Sequence, residues 1–147
     1  IGLNFFLFLI IVCIFTDIGG YLFGKILKGP KLTKISPNKT YSGVVGSFFI
    51  SLITGFIYIK YLGQKSKILL NNDPEFVVLL ILFISLISQL GDLIISYFKR
   101  QAKLKDTGKI LPGHGGFLDR LDGIIFVLPV TYLTIIPILI IKLDLIK

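Results

Sequence analysis

The sequence contains no methionine, one cysteine, one histidine, and only eight acidic residues against sixteen basic ones. Without a methionine, and opening on Ile1, a poor second residue for methionine removal, it is expected to be a portion of a longer chain. The first apolar run, Ile1 to Thr16, has no basic stretch ahead of it and no small-residue cleavage site, which argues against a signal peptide. Cys13 has no second cysteine to pair with, so an internal disulfide is excluded, and its place in an apolar run makes it a small buried hydrophobe. No polar stretch is long enough to form a soluble domain, which argues against a nucleic-acid partner. Internal repeats and low-complexity tails are lacking as well.

What remains is strongly apolar. Hydrophobic residues make up 54% of 147 positions, and mean hydropathy is +0.87; a soluble domain is nearer 45–50% apolar. The excess lies in four runs, Ile1 to Thr16, Thr40 to Ile59, Phe76 to Gly91 and Gly123 to Ile141. A helix needs about 20 residues to cross the hydrocarbon core. Two runs meet that length, and the other two do so if one aspartate near an end is admitted. The expected fold is an all-α integral membrane protein, a single membrane domain over residues 1–147 with about four transmembrane helices and polar cytoplasmic connections. A soluble helical bundle would need polar faces that these runs lack.

Charge gives the orientation. Lys25, Lys28, Lys31, Lys34 and Lys39 fall in the first connection, expected from about Gly24 to Lys39. Lys99, Arg100, Lys103, Lys105, Lys109 and Arg120 fall in the third, Lys99 to Asp122. Lys60, Lys65, Lys67, Lys142 and Lys147 fall on the opposite side. The positive-inside rule places the first and third connections in the cytoplasm, where a basic face suits a phosphate-bearing ligand.

Carboxylates within membrane helices are costly, and each one asks for a partner. Asp92 shares a helical face with Ser96 and Lys99, and Asp17 is expected at a similar depth near the end of the first helix. Either could be a structural partner inside the bundle. Asp119 and Asp122, three residues apart at the start of the fourth helix, suit its positive dipole end; helix capping would need only one acid. Together with Asp92 they could form an oxygen site for a hard cation, Mg²⁺ being the natural occupant. The stretch Pro112–Gly113–His114–Gly115–Gly116 has the glycines that let a backbone approach phosphate, with His114 reading as a positioning residue.

Ser96–Tyr97–Phe98–Lys99–Arg100, then Lys105–Asp106, then Leu111–Pro112–Gly113–His114–Gly115–Gly116–Phe117–Leu118–Asp119–Arg120–Leu121–Asp122 resembles the signature of the phosphatidate cytidylyltransferases, or CDP-diacylglycerol synthases. Upstream, Asp17, Gly20, Tyr21, Gly24, Lys25 and Ile35–Ser36–Pro37–Asn38–Lys39–Thr40 resemble the other polar segment of that family. Nearly the whole chain is covered, as the C-terminal portion of a longer multi-span enzyme. Two positions depart from the pattern: Ser42 and Ile95 stand where the family usually has Glu.

The resemblance implies a bacterial inner-membrane enzyme, with its site facing the cytoplasm, that converts CTP and phosphatidate into CDP-diacylglycerol and pyrophosphate. It implies catalytic roles for Asp92, Asp119, Asp122, Lys99 and Arg120, with metal on Asp92 and Asp119. Substrate contacts fall to Ser36, Pro37, Asn38, Lys39, Thr40, Arg100, Lys105, Asp106, His114, Gly115 and Gly116. It further implies Mg²⁺ as cofactor, with room for a second metal ion, for which a monovalent ion is one option, and a homodimer is compatible. Competing classes are a CTP-dependent lipid or polyprenol kinase, a cytidylyltransferase for another lipid phosphate, and a non-catalytic membrane transporter or scaffold.

Overall fold

The computed structural model describes residues 2–33, 36, 39–62, 73–103 and 122–144, with side chains in the last segment at 123–135, 137 and 138. Four helices carry the chain: α1 (Leu3–Leu27), α2 (Tyr41–Tyr61), α3 (Pro74–Gln101) and α4 (Asp122–Asp144). Among the described residues there is no strand, only an isolated antiparallel bridge between Lys31 and Thr40. Helices α1, α2 and α3, of 25, 21 and 28 residues, are long and apolar enough to cross a membrane. At 1.5 Å per residue even α2 spans about 31 Å, matching a hydrocarbon core of about 30 Å. Helix α4 has 23 residues and contains Pro129 and Pro137. Such prolines are tolerated where neighbouring helices compensate the backbone.

Helices α1 and α2 are antiparallel and make the closest helix pair. A Cβ on Gly46 would fall 2.2 Å from Cβ of Phe23, and one on Gly43 would fall 2.7 Å from the carbonyl oxygen of Gly20. Only glycine lets two helix backbones approach this closely. The expected break of the first helix at Gly24 does not occur. Gly24 is a packing residue, its Cα facing Thr40 Oγ1 across the α1–α2 seam. The helix continues to Leu27 and ends at Lys28, in the left-handed conformation with φ 45°. Asp17 consequently lies inside α1 rather than near its end.

The two ends of the bundle differ in chemistry. At the end formed by the N-termini of α1 and α3 and the C-terminus of α2, Phe5, Phe8, Tyr58, Val77 and Ile81 form a dry core. There the Tyr58 hydroxyl donates to the carbonyl of Asn4 at 2.8 Å and its ring meets Phe8 at 5.6 Å between centroids. Deeper in, Thr16, Ser47, Ser51, Ser85 and Ser88 are buried. Beyond them, at the opposite end, the bundle opens.

Candidate functional site

The segment joining α1 to α2 folds back on itself and places the next functional group. Leu32 donates its N–H to the carbonyl of Lys39 at 2.8 Å, Tyr41 to Pro30 at 3.1 Å, and Lys39 to Ser36 at 3.1 Å. Thr40 is the N-cap of α2, accepting from the Gly43 N–H at 3.1 Å, the arrangement that satisfies an orphan donor of the first turn. Ser42, in the usual Glu position of the family pattern, accepts from the Gly29 N–H at 3.3 Å and lies 3.0 Å from Thr40 Oγ1. It thus ties the end of α1 to the start of α2. These bonds hold Lys39 at the mouth of the bundle, where its Nζ meets Asp92 Oδ2 of α3 at 2.5 Å.

Around this pair lies a cavity of about 270 Å³. Helix α1 contributes Thr16, Asp17, Gly20 and Tyr21, the connection Leu32, Ser36 and Lys39, helix α2 Thr40, Gly43, Val44 and Ser47, and helix α3 Gln89, Asp92, Leu93 and Ser96. Lys39 and Asp92 keep 24% and 32% of their side-chain surface exposed, so the ion pair stays open to a ligand. The floor is a hydrogen-bonded seam. Thr16 Oγ1 donates to the Val12 carbonyl at 2.7 Å and lies 3.1 Å from Ser85 Oγ, and Gln89 Nε2 donates to that same Oγ at 3.4 Å.

Of the residues singled out in the sequence, the structure brings Ser36, Lys39, Thr40 and Asp92 together at this cavity. Asp17, Gly20, Tyr21 and Ser96 join them. Lys99 and Arg100 lie in the last turn of α3, beyond Ser96, and do not line it. Pro37, Asn38, Lys105, Asp106, His114, Gly115, Gly116, Asp119 and Arg120 lie outside the described residues, as does the side chain of Asp122. Helix α3 presents Gly91, not Asp92, to α4: a Cβ on Gly91 would fall 2.9 Å from Cβ of Phe126. The described surface around Asp92 therefore belongs to α1, α2 and their connection.

Thr16, Ser47 and Gln89 also line the cavity, and no motif in the sequence singles them out. A signal was present on α3, where Ser85, Gln89, Asp92 and Ser96 recur at three- and four-residue steps and so form a polar stripe on an apolar helix.

Among the described residues no three of His, Cys, Asp and Glu cluster as a metal site. The cavity does carry two carboxylates, Asp17 and Asp92, with hydroxyls of Thr16, Ser36, Ser47 and Ser96 and the amide of Gln89. Carboxylate and hydroxyl oxygens are the donor types that a hard cation such as Mg²⁺ takes, together with waters or substrate phosphates.

The sequence model of the cytidylyltransferase family matches residues 1–137. The phosphatidate cytidylyltransferase of Staphylococcus aureus strain COL is 42% identical over 136 residues, which is 92% of this chain and 50% of that protein. The one from Staphylococcus saprophyticus is 41% identical over 138 residues, 93% of this chain and 51% of its own length. That of Staphylococcus epidermidis is 39% identical over 136 residues, again 92% and 50%. The chain spans about half the length of these curated relatives.

Proposed function

The chain belongs to the cytidylyltransferase family, and from this we propose that its protein transfers CMP from CTP to phosphatidate in the membrane, giving CDP-diacylglycerol and pyrophosphate. The observation that carries the reading is the Lys39–Asp92 pair in a polar cavity at one end of an otherwise apolar bundle. Charges kept inside a membrane bundle point first to a functional site. The relatives named for this reaction align over nearly all of the chain.

In the reaction a non-bridging oxygen of the lipid phosphate forms a bond to the α-phosphorus of CTP. The bond from that phosphorus to the bridging oxygen of the β-phosphate breaks, and its electron pair leaves with pyrophosphate. The nucleophile is already ionised, so the lipid phosphate attacks directly and no side chain need carry the cytidylyl group. The obstacle is bringing two anions together, and the protein's task is charge compensation and positioning. Lys39, anchored by its backbone bonds to Leu32 and Ser36, offers an ammonium to a CTP phosphate. Asp92 keeps that ammonium aimed into the cavity while its partner phosphate is absent. Asp92 and Asp17 are the described residues that would hold Mg²⁺, and the ion when bound supplies further neutralisation of phosphate charge. Asp119 and Asp122, read as ligands from the sequence, belong to the same proposal, as do Lys99, Arg100, Lys105 and Arg120 as phosphate contacts. The cytoplasmic orientation rests on the lysine distribution.

The test is incorporation of CTP labelled in its α-phosphate into lipid by membranes containing the full protein. Labelled CDP-diacylglycerol with release of pyrophosphate is expected. Release of CDP with a phosphorylated lipid would identify a kinase instead, and no nucleotide-dependent product would reject the enzyme reading. Lys39→Ala should raise KM for CTP by about tenfold or more, the worth of one charge-assisted hydrogen bond, and an unchanged KM would remove Lys39 from the CTP site.

A further inference from the structure

A second cavity, about 650 Å³, lies on the membrane-facing side of the bundle and is lined only by apolar side chains. Phe48 of α2, Leu79, Leu82, Phe83 and Leu86 of α3, and Ile135 of α4 form most of its wall. Its relation to the polar cavity is set by helical spacing. Residues seven apart on a helix stay on one face with only about 20° of drift. Leu79, Leu86 and Leu93 form one such row, and Leu82, Gln89 and Ser96 form the next. In both rows the members toward the N-terminus line the apolar groove and those toward the C-terminus line the polar cavity. Helix α2 repeats the pattern with Val44 in the cavity and Phe48, one turn on, in the groove. One face of α3 thus changes from polar to apolar without interruption.

We propose that this groove holds an acyl chain of the lipid whose phosphate occupies the Lys39–Asp92 cavity. It rests on the reading of the protein as a lipid-phosphate enzyme. Three observations favour an acyl chain as occupant. The groove begins where the polar cavity ends, so a single amphiphile meets matching chemistry along its length. It is open toward lipid, with Leu79 65% and Leu86 44% exposed, so a chain can enter sideways without crossing a barrier. The groove's own lining on α3, from Phe76 to Leu86, covers about 15 Å of helix at 1.5 Å per residue, half of a core about 30 Å thick and so the length one leaflet gives an acyl chain.

Two measurements on the full protein in membranes or bilayer discs test this. Photolabelling with a phosphatidate that carries a diazirine midway along one acyl chain should give adducts on α3 between Phe76 and Leu86 or on Phe48. Adducts confined to other segments would overturn the assignment, including the case in which another part of the protein covers the groove. Leu79→Trp, at an exposed position in the part of the groove far from the polar cavity, should lower kcat/KM for dipalmitoyl phosphatidate about tenfold, the worth of roughly two buried methylenes, and leave dihexanoyl phosphatidate, whose chains do not reach it, unchanged. Equal losses on both lipids, or none on either, would also overturn it. If the unmodified protein turns over neither lipid, the enzyme reading fails, and photolabelling still decides the groove.

Discussion

At the scale of single residues, Asp92 is the most informative. A carboxylate inside an apolar helix needs compensation, and Lys39 provides it. The pair could be purely structural or could be the resting form of a binding site, and the two cases separate by mutation. Asp92→Asn keeps the shape but removes the charge. If Asp92 serves the reaction, turnover should fall by more than about 100-fold, the scale of removing a group that stabilises reacting charge. The double variant Lys39→Gln/Asp92→Asn removes both charges, so thermal stability in detergent should recover while turnover does not. Recovery of turnover in the double variant would reduce the pair to a structural bridge. Ser88 offers a contrasting case. Its Oγ is buried, with the Cys13 thiol, a weak partner, beside it and no other hydrogen-bond partner among the described residues, a state that costs up to about 1–3 kcal/mol. Ser88→Ala should therefore leave the melting temperature unchanged or raise it. A clear fall would show that the hydroxyl has a partner in the membrane. The Lys39–Asp92 contact itself was not legible in the sequence. Each residue stood out alone, but pairing positions so far apart in the chain requires the fold.

At the scale of elements, the helices were the legible part. Apolar runs of membrane-spanning length admit few other structures, because every backbone polar group in lipid must be bonded within its own segment. The misplaced end of α1 shows the limit of that reading. A Gly-rich, Lys-rich stretch looks like a break, whereas Gly20 and Gly24 sit in helix and serve the contact with α2. Composition does not distinguish a glycine that ends a helix from one that admits a neighbour. The distinction is testable at Gly46, where an added Cβ would meet Phe23 at 2.2 Å. Gly46→Ala should destabilise the bundle by about 1–3 kcal/mol through overpacking, read as a lower melting temperature. Since α1 and α2 both line the polar cavity, KM for CTP should rise with it. Pairing Gly46→Ala with Phe23→Ala should restore most of the stability; failure to do so would mean that the seam tolerates separation by another route.

At the scale of the whole molecule, the arrangement is a bundle with a dry core at one end and a charged cavity at the other. The cavity end gathers the C-termini of α1 and α3 and the N-terminus of α2. Lys25 and Lys28 lie at that end, as do Lys99, Arg100 and Lys103, and Lys60 marks the opposite one. An excess of lysine and arginine on one face sets membrane orientation toward the cytoplasm, and CTP, the proposed substrate, is a cytosolic solute, so charge and the proposed substrate's supply call for the same side. Cysteine accessibility decides it, and within this chain Cys13 adds little background, being buried among α1 packing residues. Lys28→Cys and Lys103→Cys should resist a membrane-impermeant maleimide applied to intact cells and react once the membrane is opened. Lys60→Cys should react from outside in intact cells. The reverse pattern would place the cavity on the side away from CTP and would overturn the cytidylyl-transfer proposal together with the orientation.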